Sequence, residues 1–127
     1  MAAAASIIAA AILAQREIMN HDPIVSEQQL ENALRFLADS DAEFAQEKAE
    51  LERSEIRRKR ARARVFLIAS GNVEERKATA ETSPDVEQAD DAYIASVKAF
   101  ETLKAKRERA DIVVGVWRSI EASRRKA

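Results

Sequence analysis

Two glycines and two prolines, Gly71, Gly115, Pro23 and Pro84, are the only residues in this 127-residue chain that strongly resist a helix interior. Each glycine costs a helix about 1 kcal/mol and each proline about 3 kcal/mol, so a chain this poor in both runs in long uninterrupted helices. Charged residues make up 34% and aromatics 5%, a balance that favours alanine, leucine, lysine, arginine and glutamate helices over strands. The expected fold class is all-α. The length suits one folding unit and is too short for two separate cores.

Boundaries follow from local chemistry. The opening MAAAASIIAAAILAQ has no cation before Arg16 and falls short of the roughly 20 apolar residues a membrane span needs. It reads as an N-terminal helix over 1–20, with Ile7, Ile8, Ile12 and Leu13 packed on a neighbouring helix or subunit. Pro23 keeps Asp22 out of the helical region. Ser26 with Gln29 then forms a capping-box pattern. Leu30, Leu34, Leu37, Phe44 and Leu51 follow in a three-four rhythm, with Asp41 and Lys48 on two expected apolar positions. Nothing interrupts that rhythm before Gly71, which predicts one helix over 26–70, about 67 Å long.

Ser70, Gly71 and Asn72 supply a stop and a restart, with Asn72 capping a short helix over 73–82 and Glu75 at its third position. Ser83 and Pro84 begin a last helix over 84–123. Its apolar face carries Tyr93, Val97, Phe100, Leu103, Ala110, Val114 and Trp117, with Gly115 allowing a close helix approach. The predicted architecture is a long antiparallel helical hairpin hinged at Gly71, with an extra N-terminal helix, assembling into a helical-bundle homo-oligomer. Counting from the turn sets Phe44 against Val97 or Phe100, and Ile56 against Val86.

The net charge of -1 conceals alternating blocks. Residues 22–52 hold nine acids and two bases; 53–64 hold seven bases and one acid. Residues 65–97 hold seven acids and two bases; 98–127 hold nine bases and four acids. The densest run is 57–64, where Arg57, Arg58, Lys59, Arg60, Arg62 and Arg64 occupy six of eight positions. At about 100° per residue Arg53, Arg57, Arg60 and Arg64 share one stripe, while Arg58 and Arg62 lie well round the helix. In one reading these cations are neutralised by Glu81, Asp85 and Glu87 across the hairpin, or form a solvated face. In the other, more cations exist than one partner helix can cover, and a rigid cationic ridge attracts a phosphate backbone. Phosphate contacts carry no base information, so the ridge suits DNA and RNA alike.

Enzymatic chemistry has little to work with. Cysteine is absent and the single histidine, His21, sits beside Asp22 in a linker, which leaves no evident metal site or nucleophile dyad. Neither glycine has a second glycine at phosphate-loop spacing. Carboxylates interleave with lysine and arginine as on solvated helices. No enzyme, cofactor or metal is expected, and the absence of cysteine fits a reducing compartment.

The order of features, a long acidic-to-basic helix ending in RARARVFLIASG, a turn, an ERKA segment and a further helix, resembles the phage UvsY-like recombination mediator proteins over roughly residues 50–120. Arg62, Ala63 and Arg64 match the family's Lys/Arg-Ala-Arg element, which contributes to single-strand DNA binding. The resemblance implies a small, helical, cytoplasmic protein, acting in the infected bacterial host. It would form a ring-like homo-oligomer of six or seven subunits that helps load a RecA-like recombinase onto DNA covered by single-strand-binding protein. The alternatives are a helical-hairpin scaffold or adaptor whose basic run serves protein pairing, and a basic helix that docks on an acidic protein.

Overall fold

A computed structural model describes residues 7–10 and 24–126. The described residues are all-helical. Residues 7–10 are helical; the rest of the helix expected over 1–20, and His21 with it, lies outside the described residues. Four further helices follow: α1 (Glu27–Asp39), α2 (Asp41–Ile68), α3 (Val73–Thr82) and α4 (Pro84–Lys126).

The capping chemistry read from the sequence is in place. The Ser26 hydroxyl accepts from the Gln29 amide at 3.1 Å, and the Gln29 side-chain oxygen accepts from the Ser26 amide at 2.9 Å. Asn72 Oδ1 accepts from the Glu75 amide at 2.9 Å and starts α3. Gly71 turns the chain with φ of 107°, a conformation that L side chains rarely adopt. Pro84 occupies the first position of α4, where its missing amide would have had no helical partner. That helix continues to Lys126, past the expected end at 123, and its last turn carries Arg124, Arg125 and Lys126. Cations there offset the negative end of the helix dipole.

The continuous helix expected over 26–70 is corrected, because the chain breaks at Ser40, which adopts φ -94° and ψ 0°. The cause lies on α4. The Arg107 guanidinium donates to the Leu37 carbonyl at 3.0 Å and to the Ser40 hydroxyl at 2.7 Å, and pairs with Asp41 at 2.6 Å. It thereby serves a carbonyl that an unbroken helix would have directed to the Asp41 amide.

Both α1 and α2 lie along α4, and α3 contacts α2 and α4. On α1, Leu30, Ala33, Phe36 and Leu37 pack with Ala110, Val113 and Val114. Along α2 the partner number on α4 falls as the residue number rises. Asp41 meets Arg107, the Phe44 ring lies 5.3 Å from that of Phe100, Arg58 sits over Tyr93, and Arg62 reaches Asp90. The two helices therefore run in opposite directions along this contact.

The residues buried between them are small. Ser54, Ala61 and Ser96 are buried, and the two hydroxyls donate back to the carbonyls of Leu51 and Ala92 on their own helices. Buried hydroxyls without partners would be costly; satisfied locally, they leave a smooth surface for close helix approach. The expected pairing of Ile56 with Val86 is also corrected. Val86 is buried, whereas Ile56 is 48% exposed, because Ser54, Arg58 and Ala61 carry the inner face at that height. Leu34 is likewise exposed. Trp117 is half-buried rather than fully packed. Apart from its chain neighbours and the backbone of its own helix, nothing among the described residues lies within 4 Å of a Cβ placed on Gly115, so the close helix approach expected there does not occur among them.

Candidate nucleic-acid interface

The six cations of 57–64 do not stay together. Helix geometry separates five of them into two groups and leaves Lys59 apart, since residues three, four and seven apart share a face.

Arg62 and Arg58 turn inward. The Arg62 Nε donates to Glu81 Oε1 at 2.9 Å, and its Nη2 donates to Asp90 Oδ2 at 3.0 Å. Two helices thus supply one carboxylate each to a single guanidinium, a charge-assisted fork that arginine geometry suits. The hydrogen bonds to Glu81 and then Asp90 raise the Arg62 pKa further, and the same contact holds the Glu81 carboxyl below its ordinary range. Arg58 stacks its guanidinium 4.3 Å from the centre of the Tyr93 ring, a favourable cation-π distance. Its Nε is buried with no hydrogen-bond partner among the described residues. The reading that one partner helix cannot cover these cations overlooked the pair of helices α3 and α4.

The stripe of Arg53, Arg57, Arg60 and Arg64 remains exposed. Arg53 and Arg57 contact Glu50 at 3.0 and 3.3 Å, and Lys59, off the stripe, contacts Glu55 at 3.3 Å. All three are solvent-exposed pairs within one helix, worth little and readily exchanged for another anion. No acid among the described residues lies within ion-pair distance of Arg60 or Arg64. Arg53, outside the densest run, therefore joins the interface on position alone. Arg62, which the family resemblance placed foremost, is committed to Glu81 and Asp90.

Beside the stripe, on the side of α2 away from α3, a groove of about 450 Å³ opens between α2 and α4. Its floor holds Ser54, Ala61, Ala89 and Ala92; Arg57 and Arg64 stand on the α2 wall, Asp85 and Gln88 on the α4 wall. Sequence reasoning set Asp85 opposite the basic run as a neutralising acid but missed Gln88 and the groove itself. Nothing in the local pattern of 85–92 marks the α4 wall, because it becomes a wall only once the register of α2 on α4 is set.

No known protein family, curated protein or solved structure matches the chain. Among the described residues there is no cluster of three or more potential metal-ligating side chains, and no helix long and apolar enough to cross a membrane. A larger groove of about 800 Å³ runs along Ile112, Val116 and Ile120 of α4, with Arg124 at one end. Its apolar lining suits packing, whereas the arginine stripe is the densest exposed array of one charge sign on α2.

Proposed function

We propose that this chain is a non-enzymatic single-strand DNA-binding recombination mediator, a helical hairpin that acts as a homo-oligomer. The observation that carries the reading is the exposed stripe of Arg53, Arg57, Arg60 and Arg64 on one rigid helix, where Arg60 and Arg64 have no acid partner among the described residues. Four cations spaced along a rod engage a phosphate backbone without side-chain ordering by a loop, and release its counterions on binding. Several copies in one assembly raise a weak individual site to tight binding through effective concentration. The acidic faces of α1 and α3 remain for protein partners. Support for a role in loading a RecA-like recombinase onto DNA covered by single-strand-binding protein comes from the family resemblance of the 60–71 segment.

The scaffold reading has one observation in its favour, the Arg62 fork, which spends a cation on holding helices together. Salt dependence separates the two. With four phosphate contacts, the slope of log affinity against log salt for single-strand DNA is expected near -2.8, from roughly -0.7 per contact. Replacing Arg57, Arg60 and Arg64 together with alanine lowers the magnitude of that slope by about 2 and keeps the helix, since alanine is the better helix former. Fluorescence anisotropy with oligonucleotides at several salt concentrations measures both. A scaffold would show unchanged DNA affinity in the triple variant. In a filament-assembly assay on DNA covered by single-strand-binding protein, the native chain shortens the recombinase lag and the triple variant does not.

A further inference from the structure

The arginine stripe borders the groove between α2 and α4 on one side only, and that asymmetry distinguishes the side a phosphate can occupy from the side it cannot. Arg57 and Arg64 stand on the α2 wall, two helical turns apart, about 10 Å. The floor is mostly apolar, with Ala61 buried and Ala89 half-buried, and Val65 and Ile68 line the groove beside them. The α4 wall presents the Asp85 carboxylate and the Gln88 amide.

A phosphate is held at the α2 wall by Arg57 and Arg64 and kept off the α4 wall by the Asp85 carboxylate. A nucleobase is not kept off: its flat apolar faces match the alanine floor, and its ring and exocyclic N–H groups find acceptors on Asp85 and Gln88. The volume, about 450 Å³, lies within the range of small-molecule sites.

We propose that this groove seats unpaired bases of the strand whose phosphates lie on the arginine stripe, an inference that rests on the strand-binding reading above. The groove is thereby the element that distinguishes single strands from duplex. In a duplex the base faces are stacked and the pairing edges are occupied, so only the phosphates reach the protein. The chain uses no aromatic platform here: the inward-facing Tyr93 is already covered by Arg58.

Filling the groove tests this without touching its charge. Ala92 is exposed, so Ala92→Phe adds a ring at the groove without disturbing buried packing. The expected result is a single-strand affinity roughly tenfold weaker, on the order of one lost base contact, with the salt slope and the duplex affinity unchanged. Circular dichroism and light scattering on the same variant check that fold and assembly are retained. Independently, the native chain irradiated with a 4-thiothymidine oligonucleotide should crosslink to the groove lining, within residues 85–92 or at Ser54, Ala61, Val65 or Ile68. Crosslinks confined to other segments, or none, overturn the inference whatever the variant does. So does an Ala92→Phe protein that is folded and binds single strands as before, or one whose assembly changes while DNA affinity does not; the last outcome makes the groove a contact between copies. If the arginine triple variant also leaves DNA affinity untouched, the strand-binding reading itself fails. If that variant weakens binding while Ala92→Phe does not, only the groove is lost.

Discussion

Arg62 shows how a single side chain is withdrawn from a charged run. It is about one-third exposed at 34%, and it holds Glu81 of α3 and Asp90 of α4 at once. Arg62→Ala leaves two carboxylates facing each other across two helices, and the expected loss is about 1–2 kcal/mol, between that of an exposed pair and a buried one. A shift in the urea midpoint at constant slope measures it. Because pairing lowers the folded-state pKa of Glu81, its stabilisation is complete above the ordinary glutamate value near 4.3 and disappears as pH falls through the lowered value. Stability followed from pH 7 to pH 3 should therefore fall less steeply in Glu81→Gln than in the native chain. A steeper fall in the variant would mean that another carboxylate dominates the acid response.

At the scale of elements, the ends of helices divide into those with local causes and those with distant ones. Ser26 with Gln29, Asn72 with Glu75, and Pro84 act within a few residues, so the sequence displays them. Gly71 belongs with them: its φ of 107° is tolerable only without a side chain, and an added Cβ would also meet the Glu75 side chain. Gly71→Ala should cost about 1–2 kcal/mol, read as a lower melting temperature. An unchanged melting temperature would show that the turn relaxes freely. The break at Ser40 has no such local signature, because its partner is Arg107, 67 residues further along the chain. Serine in a helical rhythm reads as a tolerated residue until a guanidinium arrives to satisfy the carbonyl that the break releases.

The molecule as a whole has a thin core. Among the described residues Val25, Ala33, Ala61, Ala80, Val86, Leu103, Ala110 and Val114 are the buried apolar ones, four of them alanine and only Leu103 larger than valine, while Ile56, Leu67, Ile68, Ile94 and Ile112 remain exposed. Contiguous exposed apolar surface marks contact sites, and the groove along Ile112, Val116 and Ile120 supplies it. Self-association at micromolar concentration is the expected behaviour, and light scattering measures it. Deleting residues 1–20, with the exposed Ile7 and Ile8, should shrink or loosen the assembly. A strict monomer would remove both the assembly and the avidity on which the proposed function relies.

Helical class, the turn at 70–72, the break before Pro84 and the stripe of Arg53, Arg57, Arg60 and Arg64 were all legible in the sequence, because propensity, capping and the 100° helical step act over a few residues. The fate of each cation was not. Whether an arginine is spent on a neighbouring helix depends on which acids and aromatics the packing brings within about 4 Å; helix angle sets Arg58 and Arg62 apart from Arg60 and Arg64, and packing alone supplies their partners. The small residues Ser54, Ala61 and Ser96 carried no apolar signal, yet they are buried, since a short side chain declares its value only when another helix lies against it. The groove beside the stripe has the same origin: its two walls, Arg57 and Arg64 against Asp85 and Gln88, are distant in sequence, and only the register of one helix on another makes them face each other.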